Sequence, residues 1–409
     1  MTVLHSIRRE VRRLIVCLKN QSKSSMQCSS ARRESSFIPQ RILIVSKVSQ
    51  LQFERLREPD LDEVQFKSRL IRRGSDYDTM LANHEKNKAV EIQLIDTLKN
   101  INIDYKITNR LTIDQSQFDW ADLVIAVGGD GTFLLAANLI FDNKKPIIGI
   151  NSDPDSSEGH LMLQRRYTND VKGIFERLRD GHYEYVMRTR IRVTVQGESI
   201  CQPPFHMHDK SRIAGLEMYQ FLSNALESKE INNQKKLPWL ALNEVFIGES
   251  LSAKTSSLEL RVNDEPNYHK LKCSGICVST GTGSSSWYKA INSVTPHLIK
   301  RVLDVSIPKN KFSEQEIERI CDDCNKNIQF SPDDGKMSYV IRDIILNDIW
   351  KLPKTLKTRA YCNKLTIRSH CYDGGLVFDG GVGVPFNIGT IATLETSDTD
   401  ALRTIKLPD

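Results

Sequence analysis

No apolar run in this chain approaches the roughly 18 residues that a membrane-spanning helix requires, so no membrane span is expected. The body also lacks an excess of basic residues. Of the 57 Lys and Arg and 51 Asp and Glu, the first 40 positions hold eight basic residues against two Glu, leaving 49 of each sign beyond. A nucleic-acid-binding surface shows as surplus basic charge, and none is visible there. The nine cysteines are odd in number and scattered, which argues against a disulfide framework and fits a reducing compartment. Cys321-x-x-Cys324 has no second pair at metal-ligand spacing, and these read as ordinary thiols. There is no Gly-x-x-x-x-Gly-Lys-Ser/Thr phosphate loop, since Gly335-Lys336 is followed by Met337. No full Gly-x-Gly-x-x-Gly opens a helix after a strand, so the ordinary dinucleotide fingerprint is missing too.

What is present begins with an address. Arg8-Arg9, Arg12-Arg13 and Arg32-Arg33 alternate with Leu4, Ile7, Val11, Leu14, Ile15 and Leu18, a Ser-rich stretch follows, and acids are scarce. This amphipathic, Arg-rich pattern predicts a mitochondrial transit peptide over residues 1–40 and a matrix location. The remaining length allows two domains or one elaborated domain, and 39% hydrophobic with 26% charged residues is a globular composition.

Strand-like and helix-like stretches alternate from Arg41 to about residue 187: Arg41–Ser46, a helical face through Ala89, Val90, Leu94, Ile95 and Leu98, a strand near Tyr105, the run into Gly128, a helix from Thr132, and Pro146–Ile150. That order predicts an α/β domain over 41–187 with a mostly parallel sheet. Past Met187 the period becomes two, as in Arg190–Val195, Ser257–Val262 and Lys364–Arg368, which predicts a β-rich second domain over 188–392. Polar stretches near 196–236 and 299–336 read as insertions.

The densest signal is Gly128-Gly129-Asp130-Gly131-Thr132, placed between the strand Leu123–Val127 and the helix-prone Phe133–Ala137. Glycines there allow close approach of backbone to a ligand, and the helix start aims free N–H groups at an anion. An acid in the same turn would repel phosphate, so Asp130 is placed to take a proton or hold a metal ion. Phosphoryl transfer uses both parts. A cap on its own helix is the plainer role for Asp130. Three further stretches could serve a nucleotide: Asn151-Ser152-Asp153-Pro154 with Glu158–Leu161, directly after a sheet strand; Asn243-Glu244; and the hydroxyl- and glycine-rich Gly275–Trp287.

Together these stretches resemble the NAD kinase family over residues 41–409, and its animal mitochondrial branch in particular. The carriers are Gly-Gly-Asp-Gly-Thr at 128–132, Asn243-Glu244 and Ser279–Ser284. The resemblance implies an N-terminal α/β domain, a β-sandwich-like C-terminal domain, and a C-terminal segment (393–409) returning to the first. It implies ATP-dependent phosphorylation of NAD at the adenosine ribose 2′-hydroxyl, with Mg²⁺ required and a homodimer as the expected assembly. Asp130 would face that hydroxyl as the catalytic acid–base group, with Gly128, Gly129, Gly131 and Thr132 lining the phosphates. Asn243 and Glu244 would hold ribose hydroxyls of NAD. Ser274, Ser285, Ser286, Trp287, Asn151 and Asp379 fall where the dinucleotide is contacted. The chain departs from the family in three places: many members have Asp where Ser274 stands, Pro where Gly281 stands, and Thr-Ala-Tyr in place of Ser285-Ser286-Trp287. The Gly-Gly-Asp-Gly-Thr turn is shared with diacylglycerol and sphingosine kinases, so a lipid kinase is the rival reading. A non-catalytic dinucleotide sensor is the other, and it would be expected to lack Asp130.

Overall fold

In the computed structural model residues 35–197, 203–207, 234–306, 312–348, 351 and 355–408 are described. The expected leader, up to residue 34, and most of the insertion near 196–236 lie outside them. Among the described residues no helix is long and apolar enough to cross a membrane.

The first domain is built on strands β1 (Arg41–Ser46), β2 (Asp104–Asn109), β3 (Leu123–Gly128), β4 (Ile147–Asn151), β5 (Glu184–Arg188) and β19 (Leu402–Lys406). Their order is β2-β1-β3-β4-β19-β5, and all neighbours are parallel except β19 and β5. All six residues of β3 and all five of β4 are buried. Unbroken apolar runs are what a sheet covered on both faces needs. The cover comes from helices α1 (Gln50–Arg57), α2 (Glu63–Arg72), α3 (Tyr77–Asn100), α4 (Gln115–Trp120), α5 (Asp130–Ala137) and α6 (Val171–Arg179). Ser49, Asp62 and Asp114 close capping boxes at the starts of α1, α2 and α4. On α3, Val90, Leu94 and Leu98 pack on one sheet face with Ile42, Ile44 and Ile125. Helix α5 starts at Asp130, two residues before the expected Thr132, because extended Gly129 acts as its N-cap.

The second domain stacks two antiparallel sheets. One has the order β11 (His269–Cys273), β10 (Ser256–Val262), β15 (Lys364–Ser369), β18 (Ile391–Thr396), β6 (Ile191–Gln196), β8 (Gln234–Ala241). The other runs β14 (Arg359–Cys362), β13 (Met337–Arg342), β12 (Gly275–Ser279), β9 (Glu244–Glu249), β16 (Gly374–Phe378), β17 (Val382–Pro385), β7 (Phe205–His206). Strict alternation on β6 and β10 sends Val193, Leu258 and Leu260 into a core shared with Trp239, Ile247, Ile276 and Phe378. Helices α7 (Trp287–Asn292), α8 (Pro296–Ser306) and α9 (Glu314–Lys326) follow β12. On α9 the Cys321 thiol donates to the Val294 carbonyl.

The domains are fastened by Arg190, fully buried at the start of the second. Its guanidinium donates to the carbonyls of Ala137, Ile140, Asp142 and Asp400. Beside it, Arg192 pairs with Asp400 in a two-pronged contact. Leu242 packs into the first domain's core with Phe133 and Leu402. These contacts bring the ends of β3 and β9 to one cleft.

Candidate active site

Gly128 ends β3 level with Asn151 on β4, and the Ser152 N–H closes the pair by donating to the Gly128 carbonyl. The carboxyl edge of a parallel sheet is where ligands of open α/β folds bind. Gly128 has φ +158°, and a Cβ there would lie 2.5 Å from Thr132 Oγ1 and 2.9 Å from Lys47 Cβ. Any side chain there forces Thr132 or Lys47 to shift. Asp130 does not cap its own helix. Its Oδ1 accepts the Leu161 N–H at 2.9 Å and its Oδ2 the His160 N–H at 3.1 Å. A carboxylate has about four lone-pair sites, so both oxygens retain capacity for a hydroxyl. Asn151 spends its side chain on its own loop: Nδ2 donates to Ser157 and Oδ1 accepts the Asp153 N–H. It shapes the turn that supplies the two N–H groups to Asp130.

The second half of the site comes from the edge of the β9 sheet. Asp379, at φ +47° just past β16, accepts the N–H groups of Leu242 (2.9 Å), Asn243 (2.7 Å) and Glu244 (3.1 Å). It also accepts from the side chain of Asn138, immediately after α5. One buried carboxylate thus ties the Asn-Glu turn to the helix of the Gly-Gly-Asp-Gly-Thr motif. Burial pushes Asp379 up to about 6, against the pull of those four donors. Glu244 is buried without such donors, and its Oε2 has no hydrogen-bond partner. Burial, with nearby Asp379 adding to it, pushes Glu244 up to about 8. The Asn243 carbonyl accepts from the Thr280 N–H at 2.9 Å, holding the third stretch alongside.

That third stretch turns tightly. Ser284 Oγ donates to the Gly281 carbonyl and accepts the Phe330 N–H, while Ser285 Oγ donates to the Thr282 carbonyl. A Cβ on Gly281 would lie 1.8 Å from the Ser331 carbonyl oxygen. The end of the 299–336 insertion occupies that space, which is why a ring or side chain is not accommodated there. Ser286 is exposed at the start of α7, and Trp287 stacks on Phe246 with ring centroids 4.6 Å apart. Ser274 stands apart from the cluster. It precedes β12, whose far end pairs Ser279 with Glu244, about 16 Å away at roughly 3.3 Å per residue. Its hydroxyl donates to Asp343 at 2.5 Å, so a carboxylate still lies at that place, supplied by β13's end.

Four residues at this cleft were not singled out by the sequence reading: Lys47, Arg110, Asn138 and Arg188. Lys47, Arg110 and Asn138 line a cavity of about 330 Å³ together with Gly129, Gly131, Thr132 and Asp379. Arg188 bonds Thr404 and Thr282 at 3.2 Å each, and Asp130 attracts it electrostatically. Burial nevertheless holds its guanidinium below the usual arginine range. The available signal was position: Lys47 and Arg110 follow directly on parallel strands β1 and β2.

An α/β domain and a β-sandwich thus meet around a glycine turn, a clamped acid and an unpartnered acid. The profile of the ATP-NAD kinase N-terminal domain matches residues 74–183. The human protein named NAD kinase 2, mitochondrial, is 35% identical over 402 residues, spanning 95% of this chain and 89% of its own length. Its Xenopus tropicalis counterpart is 32% identical over 412 residues, spanning 94% and 95%. The chain belongs to the NAD kinase family. Among solved structures, an Archaeoglobus fulgidus NAD kinase in complex with ATP aligns over 90% of this chain and 93% of its own, at 15% identity and a TM-score of 0.47.

Proposed function

We propose that the protein transfers the γ-phosphoryl group of ATP to the adenosine ribose 2′-hydroxyl of NAD, giving ADP and NADP. The observation that carries this reading is the unpartnered, buried Oε2 of Glu244, joined through Asp379 to the helix that begins at Asp130. A buried carboxylate oxygen without a donor is costly unless a ligand supplies one. Ribose hydroxyls are such donors, and by bonding the charged form they lower the Glu244 pKa as they bind. Asn243 and Glu244 hold the riboses; Trp287, Ser285 and Ser286 line the turn beside them. Asn151 supports the loop that holds Asp130.

In the transfer, the 2′-oxygen forms its bond to the γ-phosphorus as the bond to the β–γ bridging oxygen breaks. The hydroxyl proton passes to Asp130, which the His160 and Leu161 N–H groups hold in one orientation. The transition state is loose, so positioning and charge neutralisation supply most of the acceleration. Gly129, Gly131 and Thr132 present the start of α5 to the phosphates, and Arg188 adds positive charge nearby. Mg²⁺ typically rides on substrate phosphates with one or two carboxylates. Asp379 is already engaged by four donors, so the ion would be held chiefly by the substrate phosphates, and no group of three or more metal-ligating side chains is found among the described residues. When bound, the ion screens the phosphate charge.

Residues 1–40 direct the protein to the mitochondrial matrix, and the assembly is a homodimer. Purified protein incubated with Mg-ATP and either NAD or diacylglycerol tests the reading. NADP should form, and phosphorylation of diacylglycerol without NADP would overturn it.

A further inference from the structure

The sheet β11-β10-β15-β18-β6-β8 turns one face into the sandwich core and the other outward. Alternation puts Arg261, Thr366, Thr393 and Thr194 on the outer face, since their neighbours Leu260, Leu365, Leu394 and Val193 are core residues. The register aligns the four in one row: Arg261 opposite Thr366, Thr366 opposite Thr393, and Thr393 opposite Thr194. That row runs about 14 Å across the sheet at roughly 4.8 Å per strand. It floors a groove of about 330 Å³, flanked at the β6–β8 end by Gln234, whose Nε2 donates to Gln196 Oε1 at 2.9 Å. The core of the sandwich separates this face from the sheet that carries Glu244, so the groove is no part of the cleft.

Two polar groups lining the groove are buried without a hydrogen-bond partner: Thr366 Oγ1, on a residue 3% exposed, and Arg261 Nε. Arg261 and Arg368 both pack on the Tyr268 ring, 4.8 and 4.3 Å from its centroid. Arg368 directs its charge to Glu259 at 2.8 Å, whereas Arg261 makes no ion pair among the described residues. The ring fixes the Arg261 guanidinium without neutralising it. Lys364 and Glu395 also line the groove and stand opposite each other in the register, and Lys364 lies 4.0 Å from the exposed Asp264. These charges offset one another, which leaves the single positive charge of Arg261 unbalanced.

A buried hydroxyl and a guanidinium without partners are unfavourable until a ligand meets them. An oxyanion seated over Thr366 meets both, taking the hydroxyl proton as a hydrogen bond and facing the cation. Along the rest of the row lie hydroxyls and amides, which bond the hydroxyl groups of a ligand in either direction. The volume is that of a small-molecule pocket, larger than a bare ion needs.

We propose that this groove binds a small hydroxylated metabolite bearing one oxyanion, a carboxylate or a phosphate. The oxyanion lies between Arg261 and Thr366, and the ligand's hydroxyls lie along Thr393 and Thr194.

The test titrates full-length protein, its cleft filled with NADP, with gluconate as the carboxylate probe and glycerol 3-phosphate as the phosphate probe. At least one should bind with a Kd of about 1 mM or tighter in calorimetry, and the one that binds identifies the oxyanion. Arg261→Gln should weaken that binding about tenfold or more, the loss of one charge-assisted contact, and Arg261→Lys should recover part of it. Thr366→Val should weaken it about fivefold. Without ligand, Thr366→Val should melt no lower than wild type, because it removes an unpartnered hydroxyl and no bond. NADP formation should stay within about twofold of wild type in both variants. Dependence on Arg261 and Thr366 separates this groove from the cleft whether or not NADP occupies it. Thr366→Val, close to threonine in shape, carries the test if Arg261→Gln does not fold. Neither probe binding wild type at about 10 mM, or binding untouched by the substitutions in folded protein, would overturn the proposal. So would a Thr366→Val protein that melts lower than wild type and binds the probe normally.

Discussion

The cleft holds two acids that the protein treats in opposite ways. Asp130, in the α/β domain, has both oxygens engaged by backbone N–H groups from a loop 30 residues downstream. Glu244, at the edge of the second domain, is more deeply buried, keeps Oε2 unpartnered and is pushed up to about 8. An acid pinned by the backbone is positioned before any substrate arrives, which suits a group that must meet one proton at one place. An acid left without donors is completed by the ligand, which suits recognition. On the proposed reading the α/β turn carries the chemistry and the β-sheet edge the choice of acceptor, while Asp379 ties the Asn-Glu turn to the helix end at Asn138.

The comparison breaks most easily at Asp130. In Asp130→Asn, kcat should fall by about 10²–10⁴, the usual loss for a general base, or about 3–5 kcal/mol of barrier at roughly 1.4 kcal/mol per tenfold. One of the two N–H groups also loses its acceptor, so stability should drop by about 1 kcal/mol in urea unfolding. A folded variant with more than about a tenth of wild-type kcat would remove the base from the account.

Glu244→Gln sharpens the other side. With the folded pKa near 8 and an ordinary value of 4.5, Glu244 is protonated in both states at low pH. Between those values the unfolded chain ionises while the folded protein keeps the proton, so Glu244 lowers stability progressively as pH rises, up to its folded pKa. Gln has no such cost. Without nucleotide, Glu244→Gln should gain stability over wild type by an amount growing from pH 4.5 to about 8, reaching a few kcal/mol at most. A pH-independent difference in urea midpoints would contradict the buried, unpartnered state. The smallest effect concerns backbone. Gly128→Ala should cost about 1–3 kcal/mol through the Thr132 and Lys47 contacts. Gly131→Ala meets nothing within 4 Å and should leave thermal stability unchanged.

The fold class and the Asp130 turn were legible because both are local. Ile42–Val45 and Leu123–Val127 announce buried strands by their own composition, and alternation announces the half-covered strands Ile191–Gln196 and Ser256–Val262. The unread parts are made by distant pairings. That His160 and Leu161 would hold Asp130 depends on the turn after β4, and that Gly281 must lack a side chain depends on Ser331, 50 residues away. Lys47 and Arg110 are single basic residues in polar surroundings, indistinguishable by type from surface charge. Only the sheet order, which aligns the ends of β1, β2 and β3, brings them to one cavity.

The division of labour between the two acids is tested most directly by calorimetric titration of NAD into Asp130→Asn and Glu244→Gln side by side. Asp130→Asn should bind NAD within about twofold of wild type, while Glu244→Gln should bind about tenfold or more weakly, having lost a hydrogen bond to a charged acceptor. Weakened binding in Asp130→Asn together with near-normal binding in Glu244→Gln would contradict the account.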